Sequence, residues 1–144
     1  MHRLSILALW VAGLVSLGGC KKEESSPQLL NTRWMLVEIE ETPISLSSYS
    51  GTYRSYIEFS SQSKTGGLGP CNSFSGTFSE GSTAGQLAIS QQASTRATCG
   101  AISWEDNYLN ALPRTARYEI SGKELRLYEA TNPSRPLLRF ENRD

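Results

Sequence analysis

From Leu29 onward, apolar residues recur mostly at every second position, and a single stretch breaks that rhythm into helical spacing. Alternation places successive side chains on opposite faces of an extended chain. Short alternating runs separated by turn residues pair most simply as antiparallel strands. In Thr32–Glu40, Trp34 and Leu36 fall on one face and Met35, Val37 and Ile39 on the other, which predicts a strand covered on both sides. "TPISLSSYSGT" reads as loop. In "YRSYIEFS", Tyr53, Ile57 and Phe59 share a face opposite Arg54, Tyr56 and Glu58, and the turn-rich "SQSKTGGLGP" follows. "NSFSGTFSE" aligns Phe74, Gly76 and Phe78, with the glycine permitting a close approach or a bulge. Leu87 and Ile89 mark another strand, "RYEIS" and "ELRLYEA" flank Gly122 as a hairpin, and "PLLRFE" reads as the last strand.

The helical stretch is Ser103–Leu112. Ser103 is placed to cap it, and Glu105 and Asp106 lie in its first turn. Trp104, Tyr108 and Leu112 form one stripe with Ala111 beside it, and Pro113 limits extension. The expected fold is mainly β, of α+β type: a strongly twisted antiparallel sheet or small open barrel of about seven strands, with one helix packed on it.

The first residues are of another kind. Arg3 precedes an apolar run from Leu4 to Val15, too short to span a bilayer and typical of a secretory signal. It ends in Leu17-Gly18-Gly19-Cys20, which resembles the bacterial lipobox, whose cysteine is acylated and becomes the first mature residue. The reading is a lipoprotein signal peptide over 1–19, a lipidated Cys20 with a flexible tether over 20–28, and a folded domain over 29–144. The tether, "KKEESSPQ", lacks apolar residues. Its Lys21-Lys22-Glu23-Glu24 also resembles a short export tag that follows the acylated cysteine in some surface lipoproteins. The expected location is the outer membrane, facing the periplasm or the cell surface, and the expected membrane contact is the lipid anchor.

If Cys20 is acylated, two of the three cysteines remain, Cys71 and Cys99. An even pair in an oxidising compartment is expected to form a disulfide. Its loop of about 29 residues corresponds to roughly 3.5 kcal/mol in the chain-entropy account. The single histidine, His2, lies in the signal segment. That removes histidine-based triads, dyads and zinc sites from the folded part. Aspartate occurs only at Asp106 and Asp144, so no aspartate-rich cation loop can be drawn. Formal net charge is zero, which gives no basic footprint for nucleic acid. Neither cofactor, metal nor catalytic residue is expected. Beyond the tether, positive charge is mostly arginine, with Lys64 and Lys123 the lysines.

Taken together, these segments resemble the META domain family of HslJ-like bacterial lipoproteins. Leu30-Asn31-Thr32-Arg33-Trp34 matches its opening strand. Ile57-Glu58-Phe59 follows, then the hallmark Gly69-Pro70-Cys71-Asn72-Ser73-Phe74-Ser75-Gly76 and a second hallmark, Thr95-Arg96-Ala97-Thr98-Cys99. A helix with Glu105, Tyr108 and Leu112 comes next, then Tyr118, Ile120, Gly122 and Leu125–Leu127. Four positions depart from the family pattern. Asn31 and Pro70 stand where glycine is usual, and Arg96 and Ala97 where methionines are common. The resemblance implies a non-enzymatic envelope protein, linked in some members to heat stress or antibiotic tolerance. Asn72, Phe74, Gly76, Thr95 and Arg96 are the hallmark residues that could line a binding site for an unknown protein or small molecule. The alternative for the same residues is a stapled corner that fixes strand register. Other functions compatible with the sequence are a lipocalin-like small-ligand carrier, a periplasmic hydrolase inhibitor using "ETPISLSSYSGT" or "EATNPSRP", and a glycosidase built on two glutamates.

Overall fold

The computed structural model describes residues 28–44 and 55–143. The signal segment, Cys20 and the tether as far as residue 27, most of the 42–52 loop, and Tyr53 and Arg54 lie outside the described residues. Ten strands are described: β1 (Trp34–Ile39), β2 (Thr42–Pro43), β3 (Tyr56–Phe59), β4 (Lys64–Leu68), β5 (Ser73–Glu80), β6 (Leu87–Ile89), β7 (Ala93–Ser94), β8 (Thr115–Ser121), β9 (Glu124–Glu129) and β10 (Leu138–Glu141). Helix α1 (Ile102–Ala111) runs into a 3-10 turn at Leu112–Arg114.

Every strand pairing is antiparallel, in the order β6-β5-β4-β3-β1-β10-β9-β8, with β2 on β1 and β7 on β5. A bridge between Gln86 and Arg117, with Tyr118 N donating to Gly85 O at 2.8 Å, brings the two ends of the sheet together. The sheet is thereby nearly closed into a barrel. Its inner face carries Trp34, Ile57, Phe59, Phe74, Phe78, Leu87, Leu125, Leu127, Leu138 and Phe140, all buried. Phe59 and Phe78 meet edge to face at 5.1 Å, a favoured aromatic geometry.

Strand β1 departs from strict alternation. The register slips between Leu36 and Glu38 opposite β10. This bulge returns Ile39 to the inner face, so Trp34, Leu36 and Ile39 are buried together while Met35 and Val37 are half-buried on the outside. The expected two-sided strand is one-sided with a bulge. The stretch expected as turn before Pro70 is strand β4. Gly66 and Gly67 argue against a strand by propensity, yet a Cβ at Gly67 would collide with Tyr56 O and the Phe74 ring. Glycine is here the residue that lets three strands and an aromatic side chain come together. Asn31, in place of the usual glycine, adopts φ 56° and donates its N–H to Phe59 O at 2.8 Å. Asparagine is among the residues that tolerate this left-handed region.

The helix starts one residue earlier than expected. Ala101 occupies the cap position, and no side chain caps it, so Ser103 lies inside the helix. Its buried stripe is Glu105, Tyr108, Ala111 and then Leu112. The Tyr108 ring meets Phe74 at 5.6 Å and Phe140 at 6.1 Å, which seats α1 on β5 and β10. Trp104 is half-buried at the rim of the core. Trp104→Ala is accordingly expected to cost about 1–2 kcal/mol, less than full burial of so large a ring would imply. Urea denaturation checks this, and a loss above about 3 kcal/mol would mean that Trp104 acts as a core residue.

Candidate functional site

The two hallmark segments meet at one corner of the barrel. Cys71 and Cys99 are joined by a disulfide with Cα atoms 5.7 Å apart. On one side of this bond the chain enters β5, and on the other it leaves β7 toward α1. The covalent tie therefore joins the turn before β5 to the approach of the helix.

Asn72, one residue past the disulfide, is buried. Its Nδ2 donates to Ala97 O at 2.9 Å and to Glu105 Oε1 at 2.5 Å. Its Oδ1 accepts from Thr95 Oγ1 at 2.9 Å and from Ala97 N at 2.6 Å. Two donors and two acceptor positions are what an asparagine amide offers, and all four are used. The side chain thus pairs with the Ala97 backbone as a neighbouring strand would. The backbone adds a turn, with Gly69 N donating to Asn72 O at 2.7 Å.

Glu105 lies beneath, only 2% exposed. Its Oε2 accepts from Cys71 N at 2.7 Å and Asn72 N at 2.8 Å, while Oε1 takes the Asn72 amide. A carboxylate out of water is tolerated only when hydrogen-bonded or paired. Three N–H donors meet that requirement here, and the first turn of α1 adds a favourable helix field. Gly69 makes the space, since a Cβ there would lie 2.6 Å from Glu105 Oε2.

Phe74 and Gly76 share the inner face of β5. Phe74 packs on Tyr108, whereas Gly76 accommodates the Gln92 side chain, which a Cβ would strike. Gln92 Oε1 accepts from Thr65 Oγ1 at 2.8 Å and its Nε2 donates to Ser90 O at 2.6 Å. Of the five hallmark residues, Asn72, Phe74 and Gly76 are bound into the interior. Thr95 gives its hydroxyl to Asn72 but is otherwise exposed, and Arg96 is exposed.

Sequence reasoning did not identify Glu105 as the centre of this corner. A signal for it existed. Glu105 stands three residues before Tyr108 and seven before Leu112, which puts an acid on the apolar stripe of the helix. Gln92 carried no comparable signal, because its partner Thr65 is 27 residues away in the strand expected as turn.

The family model for the META domain matches residues 27–144. A comparison with curated proteins finds no match. Among solved structures, a DUF4847 family protein from Bacteroides vulgatus superposes with a TM-score of 0.60 at 13% identity, covering 81% of this chain and 96% of that one. A protein from Burkholderia xenovorans, solved by NMR, gives 0.60 at 20% identity, covering 79% and 83%. A further NMR structure gives 0.57 at 22% identity, covering 78% and 90%. At these identities the likeness is one of fold.

Proposed function

The chain belongs to the META domain family, and on that premise we propose that it is a non-enzymatic envelope lipoprotein whose domain presents a stapled corner as a binding or supporting surface. The observation that carries this reading is the condition of the hallmark polar groups. Asn72 has every amide position bonded inside the protein, and both Glu105 oxygens accept protein N–H groups. Groups so committed are poor acids, bases or nucleophiles, because catalysis needs a partner within reach of the substrate. The disulfide likewise holds both cysteines away from thiolate chemistry. A corner built at such cost in buried polarity serves to hold an outer segment in one conformation.

Anchoring through Cys20 rests on the Leu17-Gly18-Gly19-Cys20 sequence, and a link to envelope stress rests on the family resemblance. The lipocalin-like alternative requires an interior with room for a ligand. Here Trp34, Phe59, Tyr108, Phe140 and six leucines or isoleucines around them are under 2% exposed, which speaks for a packed core instead. Mass spectrometry of protein extracted from membranes is expected to show a chain that begins at an acylated Cys20. Mature material that retains an unmodified Met1 would overturn the lipoprotein reading.

A further inference from the structure

Seven of the eight described arginines lie within 4.0 Å of a carboxylate. Some belong to ladders across neighbouring strands, as where Arg139 bridges Glu38 and Glu124 at 2.8 and 3.0 Å. The exception is Arg96. It stands in the second hallmark, on a run from Ala93 to Thr98 in which every residue is exposed. The rest of that run is uncharged.

The backbone of this run is an edge. Thr95 N donates to Ser73 O at 3.1 Å, and Ala97 exchanges both of its backbone groups with the Asn72 amide. Odd-numbered residues therefore bond inward, toward β5 and Asn72. By the alternation of an antiparallel ladder, the N–H and C=O groups of Ser94 and Arg96 turn outward. Strand β7 pairs with β5 alone, so among the described residues no strand covers that side. The edge is also fixed in place, held by the Asn72–Glu105 network on one flank and the disulfide on the other. An edge whose order is already established loses little entropy when it takes a partner.

The geometry points to Ala93–Thr98 as a docking edge that takes an extended acidic segment of a partner protein as an added strand, with Arg96 reading a carboxylate. The inference rests on the binding-surface reading above and names its partner class. Outward backbone groups supply pairing without regard to sequence, and Arg96 supplies selection. Charge complementarity chooses the occupant. A second copy of the same edge, paired antiparallel about its middle, would set Arg96 near Arg96, and like charges placed opposite each other disfavour that pairing. A carboxylate in the added strand meets a cation that has no competing carboxylate among the described residues.

The test uses the full chain, isotopically labelled and held in detergent, with two blocked synthetic heptapeptides, Thr-Glu-Val-Glu-Val-Glu-Thr and its lysine counterpart. The acidic peptide is expected to shift the amide resonances of Ser94, Arg96 and their neighbours and to slow exchange of those two amides. Methylation of alternate peptide nitrogens is expected to abolish the effect. Arg96→Gln should weaken binding about fivefold with no change in melting temperature. Arg96→Glu should reverse the preference in favour of the lysine peptide. Shifts confined to other surfaces, equal binding of both peptides, or no response at millimolar acidic peptide would overturn the proposal. So would self-association released by Arg96→Gln, since that would make Arg96 a guard against edge pairing. The state of Cys20 is read separately by mass spectrometry, so a failed docking edge and a failed lipoprotein reading are told apart.

Discussion

Replacement of Glu105 by alanine is expected to destabilise the domain by about 3–5 kcal/mol. The variant removes one acceptor group from three donors, Cys71 N, Asn72 N and Asn72 Nδ2. A buried donor left without a partner costs about 1–3 kcal/mol, and water entering the vacated space recovers part of the sum. Loss of side-chain packing contributes less, because much of the Glu105 side chain is itself polar. Glu105→Gln is expected to fall near half the alanine value. Its carbonyl oxygen can still accept from the two backbone N–H groups, but its amide nitrogen then faces Asn72 Nδ2, donor against donor. A flip of Asn72 would relieve that clash only by breaking both of its bonds to the Ala97 backbone. Equilibrium urea denaturation measures both variants. If Glu105→Ala unfolds at the wild-type midpoint, the three hydrogen bonds do not hold the corner together.

The contrast between Glu105 and the strands shows where sequence is readable. Apolar alternation located β3, β5, β6, the β8–β9 hairpin and β10, because burial of one face is a local, periodic demand. It failed at β1 after Leu36, where the bulge moves Ile39 inward and period two no longer applies. It failed at β4 because Gly66 and Gly67 look like turn residues until Tyr56 and Phe74 are seen to crowd Gly67. The helix was found from its stripe, but its start was not, since Ala101 stands at a cap that no side chain serves. At the candidate site the two cysteines were legible as a pair by count. The bonds among Asn72, Ala97 and Glu105 span 25 to 33 residues and leave no local pattern. Arg96 was legible as a hallmark position and as a departure from the family's usual methionine. That it has no carboxylate partner among the described residues becomes visible only when the other arginines are seen in place.

Removal of the disulfide by Cys71→Ala together with Cys99→Ala is expected to cost about 3.5 kcal/mol, the chain-entropy value for a loop of this length. The 28-residue separation encloses β5, β6 and β7, so the restored freedom falls on the strands that flank the corner. The loss should not simply add to that of Glu105→Ala. Cys71 supplies both the sulfur of the bond and an N–H to Glu105 Oε2, so each feature positions the other. Once the disulfide is gone, Cys71 N is less fixed beneath the carboxylate, and removal of Glu105 then costs less. Contacting groups of this kind show coupling of about 0.5–3 kcal/mol. A cycle of wild type, the cysteine pair variant, Glu105→Ala and the combined variant is expected to give a combined loss at least about 1 kcal/mol below the sum. Simple additivity would mean that the staple and the polar network act on separate parts of the fold. Amide exchange gives a local reading of the same coupling. In the cysteine variant Thr95 and Ala97, whose N–H groups bond to Ser73 O and Asn72 Oδ1, should exchange faster than the central strands β1 and β10. Loosening confined to that edge would tie the disulfide to the rigidity on which a docked strand depends.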